Sequence, residues 1–173
     1  MKEIIWIFGN SAAGKDTFIN FAIQNSESQK LSGIGLSNKK VVKSEVSTKY
    51  IGQYEGDPVT LKRDDIYTEV PELLKTANTV LVKWQIVDSK SQRVNKLLEL
   101  IPDAEHRIIQ ICTSKDELSK RLTSKSWWKD AEINNFIDTE NFKIQEWIDK
   151  LDHKLPITKI SGDSRANYSL ILP

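Results

Sequence analysis

Apolar residues fall in short bursts along this chain, separated by helical patterns. Ile4 to Phe8 is a nearly unbroken run rich in β-formers, the signature of a central strand covered on both faces. Gly9 to Gly14 reads as a turn of small residues, and Thr17 to Ile23, with Phe18, Ile19, Phe21, Ala22 and Ile23, as a buried helix. Asn25 to Gly35 is polar and contains Gly and Ser, so it reads as a loop. Val41 to Thr48 alternates loosely and predicts a second strand. Tyr50 to Lys62, with Gly52, Gly56 and Asp57-Pro58, predicts irregular backbone or a hairpin.

The remaining chain repeats the alternation. Asp65 to Thr76 carries Ile66, Val70, Leu73 and Leu74 on one helical stripe. Thr79 to Val87 predicts a third strand, and Ser89 to Leu100 a helix stopped near Pro102. Arg107 to Cys112 predicts a fourth strand. Ser114 stands three residues before Glu117, a capping-box spacing for the helix through Leu118 and Leu122. A polar segment holding Trp127 and Trp128 leads into a long amphipathic helix through Ile133, Phe136, Ile137, Ile144, Trp147, Ile148 and Leu151. Ile157 to Ile160 predicts a fifth strand and Tyr168 to Leu172 a terminal one. Strands alternating with helices argue for an α/β domain with a mostly parallel sheet.

Composition narrows the classes. A chain of 173 residues suits one compact domain of ~100–200 residues. With 25 Lys+Arg against 24 Asp+Glu, the net charge of +1 gives no global case for nucleic acid or an anionic membrane as partner. The single cysteine, Cys112, excludes an intramolecular disulfide and cysteine-rich zinc sites, and fits a reducing, cytoplasmic setting. On strand four it reads as a small buried apolar residue. No stretch approaches ~18 consecutive apolar residues, so no membrane span is expected.

The chemistry concentrates in Gly9-Asn10-Ser11-Ala12-Ala13-Gly14-Lys15-Asp16-Thr17. This is G-x-x-x-x-G-K, set between a predicted strand and a predicted helix, the context that gives the pattern meaning. The two glycines permit backbone that a Cβ would forbid. The row of N–H groups and the helix N-terminus favour an anion. Lys15 can reach β- and γ-phosphates. Asp16 stands where the usual motif has Ser or Thr. A carboxylate is also a hard oxygen ligand for Mg²⁺, and Thr17 offers a hydroxyl one position on.

These residues make the sequence resemble the P-loop small-molecule and nucleotide kinases. The Gly14-Lys15-Asp16-Thr17 ending is similar to the Gly-Lys-Asp-Ser/Thr variant of phage deoxynucleoside monophosphate kinases and of ribose bisphosphate phosphokinase, a guanylate kinase relative. Ile108 to Ser114 followed by Glu117 to Leu122 is similar to the strand and helix leading into the lid of such kinases. The resemblance implies a P-loop NTPase three-layer α/β/α sandwich with a mostly parallel five-stranded sheet and a helical lid. It also implies a single domain over 1–173, with an acceptor-binding insert at about 48–78 and a lid at about 121–135. ATP and Mg²⁺ are the implied cofactors, and Arg121 matches a basic residue that contacts the transferred phosphate. The segment Ser124 to Asp130 departs from the lid pattern, with lysines at 125 and 129 and no arginine.

Other P-loop classes fit less well. None of the seven glycines has an aspartate three positions earlier, so the D-x-x-G of a GTPase is missing. The third strand lacks the Asp-Glu ending of mechanical ATPases.

Beyond the loop, each candidate carries a plain alternative. Asp88 follows strand three at the strand C-termini, where it could hold a metal-bound water or deprotonate an acceptor; it is equally suited to cap a helix. Arg63 could clamp an acceptor phosphate and Asp65 act as base, but aspartates at a helix start also answer the helix dipole. Lys83 lies on a strand expected to be buried and could line an acceptor site. Arg93 is a further acceptor candidate or a solvated helix residue, and Arg165 could stack on a base or belong to a turn. Trp127 and Trp128 could stack on a base, close a lid or pack on the core. Trp6, Trp84 and Trp147 sit at core positions of the pattern.

The expectation is therefore an ATP- and Mg²⁺-dependent phosphotransferase acting on a small acceptor, a nucleotide or a sugar phosphate. Lys15, Arg121 and Asp88 would be catalytic, and Asp16 and Asp88 would hold metal. The alternative is a nucleotide-binding regulatory or interaction protein with little turnover. A monomer or homodimer is expected.

Overall fold

The structure, a computed structural model, describes residues 1–25, 28–32, 39–42, 60–61, 66–83, 92–125, 130–151, 154–164 and 168. The first apolar burst forms β1 (Glu3–Gly9), and α1 (Lys15–Asn25) follows the loop. Then come β2 (Ser28–Ser32), β3 (Lys39–Val42), β4 (Thr60–Leu61), α2 (Ile66–Thr76), β5 (Thr79–Lys83), α3 (Gln92–Leu100), β6 (Glu105–Cys112), α4 (Lys115–Thr123), α5 (Asp130–Asp149) and β7 (Ile157–Ser161).

Among the described residues the sheet has seven strands in the order β4-β3-β2-β5-β1-β6-β7. β1 lies between β5 and β6 and is parallel to both, with Ile7 opposite Lys83 and Gly9 opposite Ile111. β2 is parallel to β5 and β7 to β6, giving a parallel core of five strands. β3 and β4 extend it as an antiparallel edge. The chain leaves β1 toward β2 on one side and later returns from β5 to β6 on the other. Ligands in open α/β sheets gather where connections diverge in this way, beyond the strand C-termini.

Alternation along β1 divides the core. Ile4, Trp6 and Phe8 point to a cluster with Val70, Leu73, Val94, Leu97 and Trp147, from α2, α3 and the end of α5. Ile5 and Ile7 point the other way, to Phe18, Ile19, Leu118, Leu122, Ile133 and Ile137, from α1, α4 and the start of α5. Helices therefore cover both faces of the sheet, a three-layer α/β/α arrangement. Each large side chain so buried contributes roughly 1.5–3 kcal/mol. The Phe8 and Trp147 rings meet edge-on with centroids 4.4 Å apart.

Three expectations are corrected. Among the described residues the sheet has seven strands rather than five, because the antiparallel pair at the edge adds to the five parallel strands. The segment expected to be a loop from Asn25 to Gly35 contains β2, in which Ser28 to Ser32 pair with Thr79 to Lys83. Its polar sequence carries no β pattern, and the backbone ladder with β5 recruits it. Cys112, expected to be buried, is exposed at the end of β6, where the alternation runs out into the loop.

Trp6 and Trp147 are buried as the pattern predicts. Of the predicted second strand, Val41 to Thr48, Val41 and Val42 fall in β3 (Lys39–Val42), and residues 43–48 lie outside the described residues. The third strand is described to Lys83, and Trp84 lies beyond. Tyr168 is buried against Phe18 and Phe21; the rest of the expected terminal strand lies outside the described residues.

Candidate functional site: the β1–α1 loop and its supports

The loop between β1 and α1 has the backbone an anion site requires. Gly9 and Gly14 have φ of 151° and 101°, and Ala12 has φ of 65°, the one non-glycine at positive φ among the described residues. A Cβ on Gly9 would meet the Ile111 carbonyl at 2.7 Å, so β6 itself forbids a side chain there. Ala13 N–H closes a turn on the Asn10 carbonyl at 3.1 Å. The first α1 hydrogen bond runs from Phe18 N–H to the Gly14 carbonyl at 2.9 Å. The N–H groups of the first turn of α1 lie at the positive end of its dipole.

Lys15 lies inside this loop, 5% exposed, donating to the carbonyls of Gly9 and Asn10 at 2.7 Å each. Burial pushes its ammonium down to about 8, and the nearby Lys83 pushes the same way, while Glu140 and Asp16 draw it back up. A lysine held this way is poised to gain from an incoming anion.

The remaining candidates cluster around it in part. Asp16 is exposed in the first turn of α1, and Lys83, from the end of β5, donates to both its carboxylate oxygens at 2.9 and 2.8 Å. Lys83 therefore faces the loop, paired with the residue expected to hold metal. Arg121 reaches back from α4: its Nε bonds Glu117 at 2.8 Å, Nη1 the Ala12 carbonyl at 3.1 Å and Nη2 the Gly162 carbonyl at 2.9 Å. It lies against the loop with its guanidinium engaged by protein groups. Arg93 falls on α3, its side chain outside the described residues. Asp88, Arg63, Asp65, Arg165, Trp127 and Trp128 lie outside the described residues.

Ser114 caps α4 as the spacing predicts, accepting from the Glu117 N–H at 3.3 Å. The return half of the box is replaced: the Ser114 N–H donates to Asp163 at 3.0 Å, and Glu117 turns to Arg121.

Two residues that the sequence reading passed over shape the site. Gly162, after β7, packs so closely that a Cβ would run into Thr113 Oγ1 and the Ala13 carbonyl. Thr113 in turn donates to that carbonyl at 2.8 Å. The second is Glu140 on α5, 8% exposed. The Ser11 N–H donates to its Oε2 at 2.8 Å and the Ser11 hydroxyl to its Oε1 at 2.7 Å. Asn10 Nδ2 lies 3.5 Å from the Ile137 carbonyl, one turn earlier on the same helix. The signal was available: Glu140 is the charged member of the stripe Ile133, Ile137, Glu140, Ile144, Trp147, and a carboxylate at a core position needs a partner.

Sheet order, loop and buried lysine together define a three-layer α/β/α fold with a G-x-x-x-x-G-K loop between β1 and α1. No protein-family model and no curated protein matches the chain. Among solved structures, a gluconokinase from Sinorhizobium meliloti 1021 is similar at 14% identity with a TM-score of 0.48, over 98% of this chain and 87% of that one. Among the described residues, no helix is long and apolar enough to cross a membrane, and no group of three metal-ligating side chains occurs.

Proposed function

We propose that this chain is a phosphotransferase that binds ATP with Mg²⁺ on the loop from Gly9 to Thr17 and transfers the γ-phosphoryl group to a small acceptor, a nucleotide or a sugar phosphate. One observation carries the reading: a buried ammonium, Lys15, lies in a glycine-bounded loop at the N-terminus of α1, at the C-terminal edge of a parallel sheet.

In that reading the loop amides bind phosphate oxygens, and Lys15 trades its two carbonyls for them. Arg121, already against Ala12, stabilises charge on the transferred group once the lid segment near 121–135 closes. Asp16 supplies a hard oxygen for Mg²⁺, a donor the ion accepts directly or through water, with Asp88 as the second expected donor. Mg²⁺, when bound, neutralises phosphate charge. Lys83 holds the Asp16 carboxylate at the loop until then. Arg63, Asp65 and Arg93 are proposed on the acceptor side, with the insert at about 48–78, and Arg165 at the base. The chain acts as a single domain, monomer or homodimer, in the cytoplasm.

A second reading, a nucleotide-binding regulatory protein with little turnover, draws on the Glu140 carboxylate seated on the Ser11 amide and on the pairing of Asp16 with Lys83. Both engage loop groups with the protein's own charges.

The test is acceptor-dependent ADP release from Mg-ATP across nucleoside monophosphates, nucleosides and sugar phosphates. Product with one acceptor supports the phosphotransferase. Tight ATP binding with no product from any acceptor supports the regulatory protein.

A further inference from the structure

Charged pairs and neighbours surround the loop. Lys83 is paired with Asp16 and Arg121 with Glu117. Lys15 feels Glu140 and Asp16 as attractive neighbours, and Lys83 and Lys125 as repulsive ones. Positive and negative charge are therefore nearly balanced before any ligand arrives. Glu140 is the buried member of this set among the carboxylates, with both oxygens committed to Ser11, inside the loop itself. An N–H that physics would offer to a phosphate already holds an anion.

A polyphosphate entering this loop brings several negative charges beside a carboxylate in a poorly solvated position, where like charges repel strongly. A divalent cation carried with the polyphosphate removes most of that repulsion. We propose that Glu140 is the specificity residue that makes the loop discriminate between metal-complexed and metal-free polyphosphates, through its carboxylate on the Ser11 N–H and hydroxyl. The proposal rests on the loop being a polyphosphate site, as read above. Glu140 acts on the ligand's charge, and Ser11 positions it.

The experiment is titration calorimetry of ATP and of inorganic tripolyphosphate, each in excess Mg²⁺ and in excess chelator, on the wild-type chain, Glu140→Gln and Ser11→Ala. The wild type is expected to bind at least tenfold more weakly without the metal. In Glu140→Gln, which keeps an acceptor for the Ser11 N–H, that ratio shrinks to about threefold or less, because metal-free affinity rises while Mg²⁺-bound affinity changes little. Ser11→Ala, which keeps the amide and loosens the carboxylate, shrinks the ratio partway.

An unchanged ratio in Glu140→Gln overturns the proposal. So does an equal fall in both affinities, which a merely structural role would give. If circular dichroism shows that Glu140→Gln does not fold, Ser11→Ala decides, and an unchanged ratio there overturns it. If the wild type binds neither compound even with Mg²⁺, the polyphosphate reading itself fails and takes this one with it.

Discussion

Lys83 Nζ sits 2.9 and 2.8 Å from the two carboxylate oxygens of Asp16, joining the end of β5 to the first turn of α1 across the mouth of the loop. The pair is half open to solvent, with Lys83 17% and Asp16 57% exposed. Its stabilising effect is accordingly expected below about 1 kcal/mol. Lys83→Met should change the urea midpoint little, and it should lower the Mg²⁺ concentration needed for half-maximal nucleotide binding, because Asp16 is released. An unaltered Mg²⁺ requirement would remove Asp16 from the metal site.

Lys15 gives a prediction with a defined sign. Its folded value of about 8 lies below the ordinary 10.5. The unfolded chain therefore binds more protons between those values, and this group's contribution to stability rises with pH from about 8 to 10.5. Below 8 its destabilising effect is complete. Ligand binding runs the other way: a bound phosphate favours the ammonium, so affinity should be flat in this group below pH 8 and fall as pH rises above it. Calorimetry at pH 7 and pH 9 in buffers of different ionisation heat should detect proton uptake on binding at pH 9. Equal affinity and no proton uptake at pH 9 would contradict the placement of Lys15 beside the ligand.

Gly162→Ala tests the floor of the loop. The added methyl meets Thr113 Oγ1 and the main chain of Ala13, neither of which can move without shifting the loop. Overpacking of this kind costs roughly 1–3 kcal/mol. A fall of that size in urea-melt stability, with weakened nucleotide binding, is expected; a variant as stable as the wild type would show that the contact is slack.

Acid stability turns on the opposite end of the sheet. Trp6 Nε1 donates to His106 Nδ1 at 3.4 Å, and His106 Nε2 lies 3.4 Å from the Ile101 carbonyl. Burial pushes the imidazole below its usual 6.5, with the Ile101 bond opposing in part. The unfolded state then binds more protons just below pH 6.5, so stability should fall as pH drops from 6.5 toward the lowered value. His106→Gln should flatten that slope in urea melts between pH 5 and 7.

The sequence was informative where one force dominated. The burst Ile4 to Phe8 became the central strand, and the stripe Ile66, Val70, Leu73, Leu74 became the buried face of α2. Gly9 to Lys15 was legible as a strand-to-helix turn because its glycines permit the positive-φ backbone that the turn needs. Ser28 to Ser32 was not legible, because a polar segment becomes a strand only when a neighbour offers a ladder, here β5. Cys112 misled for a related reason: a residue at the last position of a strand leaves the sheet's cover. Glu140 was hidden among the apolar positions of α5, although a carboxylate on that stripe was itself the clue. From sequence Lys83 was a candidate for lining an acceptor site, and its pairing with Asp16 needed β5 laid beside β1 at Ile7.

The central claim is that the Gly9–Thr17 loop is a polyphosphate site completed by Lys15. Its most direct test is titration calorimetry of Mg-ATP against the wild type and Lys15→Met. Saturable binding to the wild type is expected, weakened at least tenfold in Lys15→Met, with the variant's circular dichroism expected to match the wild type. Loss of one such donor also costs about 3–4 kcal/mol in the transition state, so any phosphoryl transfer should fall further still. No binding heat with any magnesium–purine triphosphate, or equal affinity in the two proteins, would contradict the account.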